Sequence, residues 1–275
     1  MTQAAKLSDP PARLIGRAQA IPTSLRFAGE SPVVRSNAEE RLYRKQRLAV
    51  AFRLFGRAGF AMGVSGHITA RDPEYPDRFW VNPMAVHFSQ IRVSDLMLVD
   101  HLGHVVEGDR PVNRAAFMIH AALHAARPDV IGAAHAHSLY GKIWSTRGKL
   151  LEPLTQDAAT FHEDHALFDR YSGIVDDEDE GVRIARALGD KHALILANHG
   201  ILTVGQSVES AVWRYLALEN SCQAQLLADQ MGDAKPMSVE VARHTHEMAG
   251  CEPAGVVSFE PYWNLILAEE PDVLD

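Results

Sequence analysis

Histidines at two places in the sequence could together bind a metal ion. His135 and His137 are two residues apart in VIGAAHAH (residues 130–137), an apolar segment typical of a buried strand. Side chains alternate between the faces of a strand, so both imidazoles would lie on one side, about 6 to 7 Å apart. His199 follows a second apolar strand and precedes Gly200, where the missing side chain lets a ligand approach. Three neutral imidazoles with open coordination positions are typical of a catalytic metal site.

Other histidines leave alternatives open. The chain has 14 histidines, so the HxH pair could be an accident of composition and His199 a hydrogen-bonded core residue. His120 and His124 are four residues apart on one face of a predicted helix, a spacing that also suits a metal. That helix lacks the acidic residue of an HExxH zinc site, which favours packing or a supporting role. His165 ends the polar run HEDH in a loop-rich stretch, where binding groups are often placed.

Composition excludes several classes of protein. Hydrophobic residues make up 47% and charged residues 23% of the 275 residues, as in ordinary globular proteins. The 35 Asp+Glu against 27 Lys+Arg give a formal net charge of -8, which repels nucleic acid and anionic membranes. We therefore expect neither as a partner. No apolar run is long enough to span a bilayer and the first thirty residues lack a signal-peptide core, so we predict a cytoplasmic protein.

The pattern of elements predicts one large domain. Helices and strands alternate, which indicates an α/β fold: a three-layer α/β/α sandwich around a mixed, largely antiparallel sheet. We expect residues 1–35 to form an N-terminal arm, 36–232 the domain, and 233–275 an irregular tail that packs on the domain or on a neighbouring subunit. The predicted elements are a helix from residue 37, strand pairs at 65–83 and 96–108, a helix at 113–126, a strand at 130–137, helices at 138–147 and 179–188, two strands at 193–205, and a helix at 207–229.

Three segments resemble the class II aldolase/adducin family: GVSGHITAR (63–71), RPDVIGAAHAHS (127–138) and ALILANHGILTVG (193–205). The likeness covers about residues 38–232. It implies the family's α/β/α fold, commonly a homotetramer with active sites at subunit interfaces, and one divalent ion per subunit, Zn, Mn or Fe(II). By matching motif, the metal ligands would be His135, His137 and His199.

The sequence departs from the sugar-phosphate aldolases of that family. The position of their acid/base glutamate falls on Ala116, which cannot move a proton. The positions of their phosphate pocket carry few small donors or donor-bearing turns. These positions are Gly66-His67, Met84-Ala85 and Arg114-Ala115. A phosphorylated substrate is therefore not expected.

The departures favour a small, non-phosphorylated 2-oxo or hydroxy carboxylic acid as substrate. We expect His67 and Arg114 to bind the carboxylate, and His165 to carry the proton in place of the absent glutamate. The predicted reaction is cleavage of a C–C bond, by a decarboxylase or an aldol-type lyase. One alternative is a non-haem iron oxygenase that decarboxylates an aromatic 2-oxo or 2-hydroxy acid oxidatively. Another is a non-catalytic, adducin-like interaction module, which would not require the three histidines.

Overall fold

The computed structural model of the protein describes residues 34–173 and 178–275, without the side chains of residues 115, 116 and 178. The predicted arm at 1–35 lies almost wholly outside this part. The described helices are α1 (Asn37–Arg57), α2 (Arg114–Ala126), α3 (Leu139–Ser145), α4 (Gln156–Ala159), α5 (Glu178–Leu188), α6 (Val208–Met231), α7 (Val239–Ala249) and α8 (Glu252–Glu269). The strands are β1 (His67–Arg71), β2 (Arg78–Val81), β3 (Met97–Asp100), β4 (Val105–Glu107), β5 (Gly132–Ala136), β6 (His165–Phe168), β7 (Ala193–Leu196) and β8 (Gly200–Gly205).

The described strands form one sheet in the order β4-β3-β2-β1-β5-β8-β7-β6. Neighbouring strands are antiparallel except β6 and β7, which are parallel. The prediction of a mixed, largely antiparallel sheet is confirmed. The centre of the sheet places β5 between β1 and β8, with His67 opposite His135 and Ala136 opposite Ile201.

The two faces of the sheet belong to different helical layers. Ala133, Leu194 and Leu202 pack in one cluster with Ile119 of α2 and Ile184 of α5. The alternate strand residues pack in a second cluster with α1, α6 and α8. This alternation is the ordinary consequence of strand geometry, and it confirms the three-layer sandwich. The side chain of His135 shares the α2 face with Ala133. No helix in the described ranges combines the length and apolar character that crossing a bilayer needs.

The prediction of an irregular C-terminal tail is wrong. Residues 239–269 form two helices, and the side chains of Phe259 and Ile266 are fully buried in the same cluster as α1 and α6. Trp263 lies under the guanidinium of Arg47, 4.0 Å from the ring centroid. Pro261, inside α8, is a helix-breaking signal in the sequence. Burial of the apolar face of α8 against the domain outweighs that signal, so the segment completes this domain's own core.

A buried carboxylate ties the end of β1 to α1. Asp72 is 1% exposed. Its oxygens accept hydrogen bonds from Arg41 Nε (2.7 Å), Trp80 Nε1 (2.9 Å) and the backbone N–H groups of Glu74 and Tyr75. Burial by itself would raise the pKa of Asp72, but the hydrogen bonds, led by the one from Arg41, outweigh it and lower the pKa.

We expect Asp72→Ala to lower the free energy of unfolding by about 3 kcal/mol at pH 7, because it leaves buried donors without a partner. Because the pKa of Asp72 is lower in the folded protein, the carboxylate stabilises the fold fully at a pH above its unfolded-state pKa of about 4. This stabilisation is lost as the pH falls through the folded-state pKa. Urea unfolding at pH 7 and pH 3 should therefore show a smaller difference between variant and wild type at pH 3. Glu74→Ala, which removes an exposed partner of Arg41, is the matched control and should cost less than about 1 kcal/mol. Equal losses in the two variants would contradict the prediction.

Candidate metal centre

His135, His137 and His199 lie together at one end of the central strands. One ring nitrogen from each lies within 4.8 Å of the others, and the Nε2 atoms of His137 and His199 are 3.0 Å apart. The ligand atoms of a Zn²⁺ ion bound at about 2.0 to 2.1 Å lie slightly more than 3 Å apart, and the His137–His199 pair is already close to this separation. In the described part of the chain, these three histidines form the group of metal-ligating side chains whose ligand atoms lie close enough together to share one ion. The three predicted ligands therefore converge.

Strand pairing explains why they converge. His135 is on β5 and His137 directly follows it, on the same side of the chain. His199 lies in the turn between β7 and β8, and β8 pairs with β5. Asn198 holds the left-handed conformation that this tight turn requires, with a φ of 59°. The antiparallel pairing of β5 and β8 thus brings the turn next to the HxH pair.

The imidazoles are held in the neutral form that metal binding needs. His135 is 1% exposed, and its Nδ1–H donates to the carbonyl of Ile201 at 2.8 Å, which leaves Nε2 as the ligand atom. Burial lowers the pKa of His135 well below 6.5, and burial followed by the nearby His137 lowers the pKa of His199 to about 4. The pKa of His137 is lowered by burial and then by the charge of Lys142. Neutral nitrogen ligands, one buried and two half-buried, fit a divalent ion that remains open to substrate.

His67 lies beside this group but does not serve as a cation. Gly66 has a φ of 92°, and a Cβ there would lie 3.2 Å from the Cα of Ala136, so the chain passes close to β5 and brings His67 next to His135. The ring centroids of these two histidines are 5.2 Å apart. Burial, followed by the neighbouring His120, lowers the pKa of His67 well below 6.5. Both ring nitrogens are buried and neither has a hydrogen-bond partner among the described residues, so the neutral ring has an unused donor and an unused acceptor.

His120 and His124 pack beside the candidate metal centre and bind the hydroxyl group of Thr69. His120 Nδ1 and His124 Nε2 lie 2.7 Å and 2.9 Å from the hydroxyl oxygen of Thr69, and both histidines are buried between α2 and the sheet. Their shared hydroxyl partner favours the packing interpretation over a competing metal site. His120 also contacts His67, with ring centroids 4.4 Å apart. A row of buried imidazoles therefore leads from the metal centre towards α2.

Arg114 is exposed at the first residue of α2. The residue before it, Asn113, donates to the carbonyl of Val64 at 3.0 Å, which ties this end of α2 to the turn that precedes His67. Arg114 is therefore placed on the side of the site where β1 begins. The backbone N–H of Met84 donates to Pro111 at 2.8 Å and is not free for a phosphate. The side chains of Ala115 and Ala116 lie outside the described part of the chain.

The geometry argues against His165 as the proton carrier. His165 begins strand β6, where the sequence predicts a loop. It pairs with the first residue of β7, whereas His199 lies beyond the last residue of β7, at the opposite end of that strand. Its Nδ1–H donates to the carbonyl of Phe161 at 2.6 Å, and its Nε2 accepts from the N–H of Leu151 at 2.9 Å. Burial lowers its pKa. With both nitrogens bound to backbone, His165 holds the chain together and has no nitrogen free for substrate.

Two residues near the site were missed by the sequence analysis. Tyr171 has its ring centroid 6.1 Å from that of His199 and is 48% exposed. Nothing in the sequence around Tyr171 distinguishes it. Lys142, on α3, acts electrostatically on His137, and its Nζ lies 3.8 Å from the sulfur of Met62. Its position five residues after His137 on a predicted helix is a signal that could have placed a cation at this site.

Comparison with known proteins agrees with this arrangement. Residues 46–226 match the sequence profile of the family described as Class II Aldolase and Adducin N-terminal domain. The 4-hydroxy-3-prenylphenylpyruvate oxygenase/4-hydroxy-3-prenylbenzoate synthase of Streptomyces roseochromogenus subsp. oscitans is 46% identical over 244 residues, 88% of each chain. Decarboxylase NovR of Streptomyces niveus is 45% identical over 246 residues, 89% of this chain and 91% of its own.

Comparison with a solved structure indicates the same family. The L-fuculose 1-phosphate aldolase from Glaciozyma antarctica PI12 superposes with a TM-score of 0.83 at 40% sequence identity, covering 92% of this chain and 99% of that one. The family profile spans most of the domain, and both the sequence relatives and this structure align over nearly their whole length. The chain therefore belongs to the class II aldolase and adducin family.

Proposed function

We propose that this protein is a metal-dependent enzyme that cleaves a C–C bond of a small, non-phosphorylated 2-oxo or hydroxy carboxylic acid. The observation that carries the proposal is the convergence of three neutral imidazoles, His135, His137 and His199, at one end of the central sheet. A divalent ion held there would supply Lewis acidity towards a carboxylate and the oxygen next to it and, as Fe(II), one-electron redox chemistry as well. The names of the two Streptomyces relatives, an oxygenase and a decarboxylase, support a carboxylic acid substrate.

The surrounding side chains suit such a substrate. Neutral His67 would donate a hydrogen bond to a substrate oxygen from its otherwise unpartnered ring. Lys142 and Arg114 would supply the positive charge that attracts a carboxylate, because burial keeps the ring of His67 neutral. The exposed ring of Tyr171 beside His199 would pack against an aromatic portion of the substrate.

Oxidative decarboxylation with Fe(II) and O₂ is the second candidate. The relative named as an oxygenase, 46% identical over 88% of both chains, favours it. The fate of the electron pair of the broken C–C bond also favours oxidative decarboxylation when the substrate is a 2-oxo acid. Loss of CO₂ from such an acid leaves the electron pair on the carbonyl carbon, where the adjacent oxygen cannot delocalise it, so the step needs either a covalent electron sink or an oxidant such as O₂ that accepts the pair. Aldol-type cleavage instead leaves an enolate, which a Lewis acid stabilises without an oxidant.

The two reactions are separated by measuring CO₂ and O₂ together. Protein loaded anaerobically with Zn(II), Mn(II) or Fe(II) would be given an aromatic 2-oxo acid, with and without O₂. We expect CO₂ release that requires bound metal. Release in proportion to O₂ uptake, with Fe(II) alone, would establish the oxygenase, whereas release without O₂ would establish a non-oxidative decarboxylase. No turnover of any 2-oxo or hydroxy acid with any of the three metals would contradict the proposed function and favour the adducin-like interaction role.

We also propose that the protein is a homotetramer, as the family resemblance implies. Phe259 of the C-terminal segment does not contribute to such an interface, because its side chain is fully buried in its own domain. Sedimentation equilibrium at micromolar concentration should give about four times the mass of 30.3 kDa. A monomer would contradict this.

A further inference from the structure

Helix α6 holds the backbone on both sides of His137 from the sheet face opposite α2. Two of its residues, Tyr215 and Glu219, are one helical turn apart and are buried, with exposures of 0% and 6%. Both point at the connection between β5 and α3, which contains His137. Neither residue belongs to the group of three ligating side chains, and their hydrogen bonds in the described part of the chain go to residues on either side of His137.

Tyr215 binds the residues immediately before and after His137. Its hydroxyl donates to the carbonyl of Ala136 at 2.7 Å and lies 2.8 Å from Oγ of Ser138. The ring is wedged in the core, with its centroid 4.8 Å from that of Phe55. A rigid aromatic side chain in a closely packed core holds its hydroxyl in place, so these contacts restrict the backbone on either side of His137.

Glu219 anchors the start of α3. Its carboxylate accepts hydrogen bonds from the hydroxyl of Ser138 at 2.6 Å and from the backbone N–H groups of Tyr140 and Gly141 at 2.8 Å and 2.7 Å. These N–H groups belong to the first turn of α3, where they have no partner within the helix. A Cβ on Gly141 would lie 2.9 Å from Glu219 Oε2, so the carboxylate fills the space there. The chain that leaves His137 therefore has one fixed direction.

We propose that Tyr215 and Glu219 are positioning residues that hold His137 at the distance and angle the metal centre needs. The inference rests on the proposed metal-dependent function, because it concerns the same site. The physical reason is that His137, unlike His135, lies beyond the end of β5 and has no ladder hydrogen bonds of its own strand to hold it. Partners that orient a metal ligand typically contribute 10-fold to 100-fold to metal affinity, and these two act on the ligand through its backbone.

The test is binding of Co(II) alone to the full-length protein, measured by the visible d–d absorption and by competition with a chelator. We expect Tyr215→Phe, which removes only the hydroxyl, to weaken Co(II) binding by about 10-fold to 100-fold and to change the intensity or position of the absorption bands. Glu219→Gln, which keeps the shape of the side chain, should act in the same direction and provides a second variant if the first does not fold.

Phe52→Leu is the matched control, because Phe52 is fully buried and packs on Phe88, away from this connection. It should lower the melting temperature while leaving the Co(II) affinity and spectrum within about twofold of wild type. Wild-type affinity and an unchanged spectrum in both Tyr215→Phe and Glu219→Gln would overturn the inference and leave the metal centre intact. Failure of the wild type to bind Co(II) would overturn the proposed function, and this inference with it.

Discussion

Replacing His137 by alanine is expected to remove the bound divalent ion and to lower kcat/KM by about a thousandfold or more, while the protein remains folded. His137 and His199 place their Nε2 atoms 3.0 Å apart, so the loss of one leaves two imidazoles, too few to hold a catalytic ion tightly. Metal Lewis acidity supplies several kcal/mol of transition-state stabilisation, and each 1.36 kcal/mol is a factor of about ten in rate. Metal content after gel filtration and turnover of an aromatic 2-oxo acid are the measurements.

The exposed histidine His244 supplies the control for this variant. His244→Ala should retain one ion per subunit and wild-type turnover. Retention of a full equivalent of metal by His137→Ala would show that the ion is held elsewhere. Loss of the metal in His120→Ala, with His137→Ala unaffected, would assign the site to α2 and would refute the ligand set proposed here.

Cleavage of L-fuculose 1-phosphate is expected to be about 10²-fold to 10⁴-fold slower than turnover of the preferred carboxylic acid, despite the 40% identity to a solved aldolase of that name. General acid–base catalysis contributes about that factor, and the family resemblance implies that Ala116 stands at the position of the acid/base glutamate of sugar-phosphate aldolases. The backbone N–H of Met84 is already bound to Pro111, which removes a donor from the position of the phosphate pocket. Steady-state kcat/KM for both substrates with the same metal-loaded sample measures the ratio.

A His199→Ala sample is the blank for this comparison, because any turnover that it retains does not depend on the metal centre. Comparable kcat/KM values for the sugar phosphate and the carboxylic acids would refute the substrate class. They would also mean that another residue supplies the proton transfer assigned to glutamate in those aldolases.

The sequence by itself was sufficient for the fold class, and the resemblance to the family named His135, His137 and His199 as one group. Local patterns placed the members of this group: strand alternation puts His135 and His137 on one side, and the Asn-His-Gly turn between two apolar strands puts His199 at a strand end. The pairing of β5 with β8 then brings that turn to the HxH pair. The β1–β2 and β3–β4 pairs were likewise predicted from turn residues and alternating apolar positions. Periodicity and turn chemistry are properties of neighbouring residues, so they can be read without knowing what the segment packs against.

Only the tertiary structure decided how the other candidate residues are used. His165 was a candidate proton carrier by position, but contacts with Leu151 and Phe161 engage both of its nitrogens. Likewise, burial lowers the pKa of His67 and keeps its ring neutral, which its position in the sequence does not reveal. Tyr215 lies about eighty residues from the ligand that it supports, and the contact exists only because α6 packs across the end of β5. Protonation, hydrogen-bond saturation and long-range support depend on burial and on partners distant in the chain, which periodicity does not encode.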